Sequence, residues 1–419
     1  MGPHAVSSRG VSGAKDLLLE MYKTVQTRVP HVSILRHVKA ILFATCLATL
    51  TACRPHDFPQ YQPNYREYAY VTNGDSGTVS IYDVVNVRVD RELPVGQNPR
   101  SVTASPTRNE VYVVNSGTPA GQGSVTVINT ENNSVAATIA VHKRPVALAL
   151  GPLGDLAYIA NAGANTVSVL DLQARREIAQ IGVGEEPVAV RVSPDGKSLV
   201  VANRVGNSVS VIDPATRKVR TVLEGCLGAA DVVILPDSSK AFAACGGGHQ
   251  VMAILLARSA RPDGVSATPD RLESLLDVGR GPIHLALKPD GGEIFVSNSL
   301  SDSISEVYAT TDEVAGAYIM GADPVRGLVS LDNALLYVAN LHSQEVTVYS
   351  VEDGKRIDHI HVGDGPSALA FSATGHLLFA VDARSGDVAV VRTASRSLFT
   401  MLPAGRNPND IAVKAFKLP

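Results

Sequence analysis

Short apolar runs of five or six residues, each closed by a cluster of Gly, Pro, Asn or Asp, recur from Glu67 to the end of the chain. After Pro187 the runs Val188–Ser193, Ser198–Ala202, Ser208–Asp213 and Lys218–Leu223 read as four strands. The breaks between them, Pro194–Lys197, Asn203–Gly206 and Pro214–Arg217, carry turn chemistry. The second strand ends in a tetrad that returns as Tyr70–Asn73, Tyr112–Asn115, Tyr158–Asn161, Val200–Asn203, Phe242–Cys245, Phe295–Asn298, Tyr337–Asn340 and Phe379–Asp382. Its spacings are 42, 46, 42, 42, 53, 42 and 42 residues. A Gly-x-x-Pro marker or its relic precedes each first strand, with prolines at 99, 145, 187, 282, 324, 366 and 408 and none in the Gly228 region.

A four-strand unit repeated at this period predicts an all-β, eight-bladed β-propeller of four-stranded antiparallel blades. The ends support the count. Glu67–Val95 supplies strands b, c and d only, and Asn409–Ala415 supplies a lone strand a. Pairing the two closes the ring, so that no blade leaves an apolar face in water.

Composition then narrows the picture. Four hundred and nineteen residues would fit two to four domains, but the repeat assigns most of them to one ring. The apolar share of 45% is that of a globular protein. A net charge of −3 argues against a nucleic-acid binder held by phosphate contacts. Absence of Trp separates the chain from Trp-marked propellers such as WD repeats.

Residues 1–52 read as a leader. The uncharged run Ala40–Leu50 follows Arg36, His37 and Lys39, which is the layout of an export signal, and 11 residues are too few to span a bilayer. Met21 is the better initiator. Leu50-Thr51-Ala52-Cys53 resembles the lipobox of bacterial lipoproteins, which implies a diacylglyceryl group on Cys53, cleavage before it and attachment to the membrane. Arg54 after the Cys implies the outer membrane, facing the periplasm or the cell surface. Residues 53–66 would then be a lipidated linker and 67–419 the propeller, with 31 basic and 38 acidic residues left after the leader.

The tetrads resemble the YVTN family of exported β-propellers, whose signature Tyr70–Asn73 repeats letter for letter. The likeness spans residues 67–415. It implies a fold far more firmly than an activity, because propellers host many functions. Family members commonly have seven blades, so a count of eight points toward the distantly similar haem d propellers, whereas lactonases are another branch of relatives.

Strands a and b are antiparallel, so the Gly-x-x-Pro loops and the loops after the tetrads crowd one rim around the channel. Two residues after the Pro, or its aligned position in the Gly228 unit, four units carry Ala or Ser, and Asp231, His284, Arg326 and Asp410 stand out in the other four. Arg100, His142 and Arg144 lie in the same loops, and His249 and His342 in the adjoining ones. The arrangement reads either as a solvated rim or as a basic, histidine-bearing cup for an anionic small ligand, a haem-like macrocycle, a metal ion or a protein partner. The repeated Asn reads as structural, its amide bonding its own turn.

Cys226 and Cys245 fall on the same rim, within reach of a disulfide, although free thiols or a metal site with His249 fit the spacing too. His359 and His361 share one face of an outermost strand. The insertion Arg258–Arg271 adds about ten residues between strands c and d, on the rim opposite the cup. No Gly-x-Ser-x-Gly elbow, P-loop or Cys-x-x-Cys-His stands in the sequence. The expectation is a non-catalytic binding scaffold, with a cofactor-handling propeller or a lactonase-like hydrolase as alternatives.

Overall fold

The computed structural model describes residues 58–257 and 267–418. The leader 1–52, Cys53 and part of the insertion at 258–266 lie outside the described residues. The compact unit begins at Pro59. Its described residues form 32 strands in eight four-stranded sheets.

Seven sheets follow chain order, and the eighth is composite. In it β1 (Tyr65–Asn73), β2 (Thr78–Asp83) and β3 (Arg88–Pro94) are joined by β32 (Pro408–Lys417). β1 and β32 run antiparallel from Tyr65↔Lys417 to Asn73↔Pro408, so both chain ends close one blade. That blade is called the first. The innermost strands of the second to eighth blades are β4 (Pro99–Ala104), β8 (Pro145–Leu150), β12 (Pro187–Val192), β16 (Ala229–Ile234), β20 (Pro282–Leu287), β24 (Pro324–Val329) and β28 (Pro366–Phe371).

Strands b and c are covered on both faces by neighbouring blades, so they are buried nearly throughout, whereas the outer strands are mostly exposed. This is why strand c is apolar without strict alternation. The aromatic residue that opens most tetrads is fully buried, as in Tyr70, Tyr112, Phe242, Phe295, Tyr337 and Phe379. Each contributes roughly 1.5–3 kcal/mol by leaving water.

The tetrad Asn is structural, and beyond the turn backbone, which Asn115 and Asn340 reach at Ser124 O and Glu345 O, its amide bonds strand c. Asn73 Nδ2 donates to Thr78 Oγ1 (3.0 Å) and Ser80 Oγ (2.9 Å) on strand c. Asn115, Asn161, Asn203, Asn298 and Asn340 donate to Thr126, Ser168, Ser210, Ser305 and Thr347 at 2.8–3.0 Å. A buried amide needs a buried acceptor, which accounts for the hydroxyl residue in the middle of each of these apolar strands.

The closing blade is latched on both sides. Glu67 Oε1 accepts the Ala373 N–H of the eighth blade (2.6 Å), and Lys414 Nζ donates to Ser105 O of the second (2.6 Å). Burial raises the Glu67 carboxyl and lowers the Lys414 ammonium. Ahead of β1, Tyr61 stacks on Tyr65 with ring centroids 4.8 Å apart.

Candidate functional site

The innermost strands line a cavity of about 600 Å³ in the upper channel. Residues directly after the prolines ring its mouth. Val146, Val188, Ala230, Ile283 and Val325 form a continuous aliphatic arc, and Ser367, Asn409 and Arg100 a polar sector.

One residue deeper stand the four expected outliers, and all four line the cavity. Their first role is between blades. Asp231 Oδ2 accepts Leu285 N of β20 (3.2 Å), and Asp410 Oδ2 accepts Val102 N of β4 (3.0 Å). His284 Nδ1 accepts Gly327 N of β24 (3.3 Å). In each case a side chain two residues after one Pro, or after Ala229, meets the N–H three residues after the next Pro. Arg326, which only donates, instead reaches across the eighth blade to Asp410 (3.6 Å).

Sequence reasoning missed Arg191. It lines the same cavity and meets Asp231 Oδ1 at 3.3 Å. The signal was there, since strand a alternates and the fourth position after Pro also faces the channel. Arg191 is the one charged residue among those eight positions.

His284 lies with Asp231 Oδ2 3.8 Å from Nε2, and its side chain is 13% exposed. Burial, with Arg326 nearby, pushes its pKa down to about 3, against the pull of Asp231. The ring is therefore neutral at physiological pH. Nδ1 accepts the Gly327 N–H, so in the neutral ring the proton sits on Nε2.

The other named residues scatter. His142 ends β7 (Ser134–Lys143), the outer strand of the second blade, and pairs with Glu177 (3.2 Å) on the outer strand of the third. His142 holds the position three residues before Pro145 that most other blades give to Gly, and the four extra residues of this blade lie instead in the loop between Asn115 and Ser124. His249 meets Asp277 (3.6 Å) and His342 meets Asp323 (2.9 Å), each within its own blade. Among the described residues no three His, Cys, Asp or Glu side chains are grouped to hold a metal ion. His359 and His361 pack edge to face, centroids 5.4 Å apart. The sulfurs of Cys226 and Cys245 are joined in a disulfide, with their Cα atoms 4.8 Å apart.

Arg144 does belong to the cup. A rim cleft of about 390 Å³ is lined by Arg100, Arg144, Arg204 and Glu186, and it shares Arg100, Val146 and Val188 with the channel cavity. Glu186 Oε1 accepts from both Arg144 Nη2 and Arg204 Nη2 at 2.6 Å. The arginines, Arg204 foremost, hold its carboxyl below the usual range. Arg100 is exposed and has no ion-pair partner among the described residues.

The backbone singles out the same place. The residue before each Pro, or before Ala229, is left-handed in all eight loops. Six of these residues are Gly, Asn or Asp, which adopt that shape cheaply. The other two are Arg144 (φ 48°) and Glu186 (φ 54°), both at the cleft. Among these eight loops only the two at the cleft place a larger side chain in that conformation.

No curated protein matches the chain in sequence. A model of YNCE-like β-propellers matches residues 146–255. Among solved structures, the dihydro-haem d1 dehydrogenase NirN, in complex with DHE, is 15% identical with a TM-score of 0.66, over 86% of this chain and 78% of that one. AztD from Citrobacter koseri is 14% identical with a TM-score of 0.62, over 84% and 98%. Hydrazine synthase of Kuenenia stuttgartiensis is 22% identical with a TM-score of 0.53, over 71% and 96%. At these identities the likeness is one of fold. The chain is an eight-bladed β-propeller that resembles YNCE-like propellers and, more distantly, the haem d propellers.

Proposed function

We propose that this protein is an exported propeller, tethered through a lipid on Cys53, that binds an anionic ligand or partner at the channel mouth without transforming it. One observation carries the reading: Arg100 stands unpaired where the rim cleft and the channel cavity meet. The other cavity charges are spent on one another, Arg191 with Asp231 and Arg326 with Asp410. In the cleft three arginines face one carboxylate. An uncompensated guanidinium beside an apolar arc suits an anion with an apolar body.

Catalysis is not favoured by the same residues. A general base works best with a pKa near the operating pH, and His284 lies far below it. Its Nδ1 is taken by the Gly327 N–H, which also weighs against the haem-type alternative. The lactonase-like alternative has no specific support in the site.

The test is purification of the chain from its membrane, with mass spectrometry of co-purifying small molecules and proteins, alongside Arg100→Glu. A bound anion present in the parent and absent from the variant supports the reading. The same complement from both, or none from either, overturns it. Metabolic labelling with a fatty acid, lost in Cys53→Ser, tests the tether separately.

A further inference from the structure

Hydrogen bonding in the channel cavity is one-sided. Its acceptors are in use. Asp231 accepts Val232 N (2.9 Å) as well as Leu285 N, Asp410 accepts Val102 N, and His284 Nδ1 accepts Gly327 N. Asn409 Oδ1 accepts Thr72 Oγ1 at 2.7 Å. Its donors are not. Among the described residues Arg100 and Arg326 donate no hydrogen bond, and the hydroxyls of Ser101 and Thr103 make none. Asp410 balances Arg326 in charge, but their 3.6 Å separation is too long for a hydrogen bond. Each guanidinium therefore keeps its planar fork of N–H donors open.

These open donors gather in one quarter of the cavity. Arg326 belongs to the seventh blade, yet its guanidinium reaches Asp410 of the first. Asp410 in turn holds Val102 N, two residues from Arg100 and between Ser101 and Thr103. The donors thus lie along the polar sector, across the channel from the aliphatic arc of the third to seventh blades. Charge points the same way. With His284 neutral, the cavity and the adjoining cleft set five guanidiniums against three carboxylates, which leaves two positive charges without a partner. A single carboxylate fills one guanidinium fork and cancels one charge.

We infer that the anion bound at this mouth carries a doubly charged oxyanion head, a phosphate monoester or a geminal dicarboxylate, held between Arg100 and Arg326 with its aliphatic body on the arc. This rests on the reading of the mouth as an anion site and adds Arg326 as the residue that selects for the second charge. Such a head has lone pairs enough for both forks and for the Ser101 and Thr103 hydroxyls.

Titration calorimetry of the full chain with hexyl phosphate, hexylmalonate and heptanoate tests the inference. At about pH 8 the first two are dianions and the third a monoanion, all on the same aliphatic chain. The parent should bind at least one dianion about tenfold tighter than heptanoate, the effect of one further charge-assisted hydrogen bond. The dianion held more tightly identifies the head. Arg326→Gln should cut that advantage to about threefold or less and keep heptanoate binding, whereas Arg100→Gln should weaken all three. Heptanoate bound as tightly as the dianions, and released in Arg100→Gln, would overturn the inference while the anion site stands. A parent that binds none of the probes, or an undiminished advantage in Arg326→Gln, would overturn it as well. Should Arg326→Gln misfold, the selectivity of the parent decides.

Discussion

Cys226 stands three residues before Ala229 and bonds to Cys245, the residue opposite Ala229, so the disulfide occupies the two sites that six other blades give to glycine and an Asn or Asp. In those blades a Cβ on the glycine would come within 2.6–2.8 Å of the partner side chain, as at Gly96 over Asn115 and Gly184 over Asn203. The fifth blade also places Met252 where the Asn blades keep a hydroxyl. Glycine, asparagine and hydroxyl have been exchanged together for a disulfide packed on a thioether.

Breaking the bond with Cys226→Ala/Cys245→Ala should cost about 2–4 kcal/mol, the range for a loop of this size. Cys245→Asn alone should lose roughly 1–3 kcal/mol more, since its amide faces Met252 without an acceptor. Cys226→Gly/Cys245→Asn/Met252→Ser rebuilds the arrangement of the other blades and should recover much of that loss. Denaturant unfolding of the three variants ranks them, and a different order would refute the account.

Asp382 holds the tetrad Asn site in the eighth blade, where strand c offers Asp387 and Ala389 in place of hydroxyls. Burial raises its pKa to about 8, with Asp387 adding to the effect and the Gly363 N–H opposing it. The folded pKa thus exceeds the unfolded value near 3.9. The contribution to stability is complete below about pH 4 and is lost as pH rises through 8. Relative to Asp382→Asn, the parent should lose up to roughly 1.4 kcal/mol per pH unit across that window and change no further above it. Parallel melts of both proteins from pH 4 to 9 measure the difference, and a constant gap would contradict the assignment.

The blade count, the closing strand and the four channel outliers were legible because each depends on spacing along one chain. The hydroxyl partners of the tetrad Asn were legible too, in the alternation of Val79-Ser80-Ile81 and its equivalents, but only once strand c is seen to be covered on both faces. Arg191 needed the inner strand's period carried two residues further. What the sequence could not reveal depends on neighbouring blades. Glu186 becomes a site residue only when Arg144 of one loop and Arg204 of another converge on it. His142 leaves the site because it pairs with Glu177 on the outer strand of the next blade.

The bonds between inner strands predict how the channel charges act on stability. Asp231→Ala should cost about 1–3 kcal/mol by orphaning Leu285 N and the Arg191 contact. Asp410→Ala should cost a similar amount through Val102 N and Arg326. The two aspartates serve different seams and share no partner, so their losses should add to within about 0.5 kcal/mol. A double-mutant cycle by urea unfolding reads this, and a large coupling energy would mean the channel charges act as one network.

Ring closure rests on β32. Removing residues 405–419 strips the inner strand from the first blade and leaves β1 with an open edge. It deletes Ile411 and Phe416, which are 7% and 9% exposed in the closed ring, and so bares the apolar surface they cover. It also removes Asp410 from Val102 N and Lys414 from Ser105 O, the latches to the second blade. Each blade is stabilised mainly by its neighbours, so the damage should spread beyond one sheet. The truncated chain should lose cooperative thermal unfolding, and a synthetic peptide of residues 405–419 added in excess should restore part of it by re-forming the β1–β32 ladder. Unchanged melting of the truncated chain would show that the terminal pairing does not hold the ring.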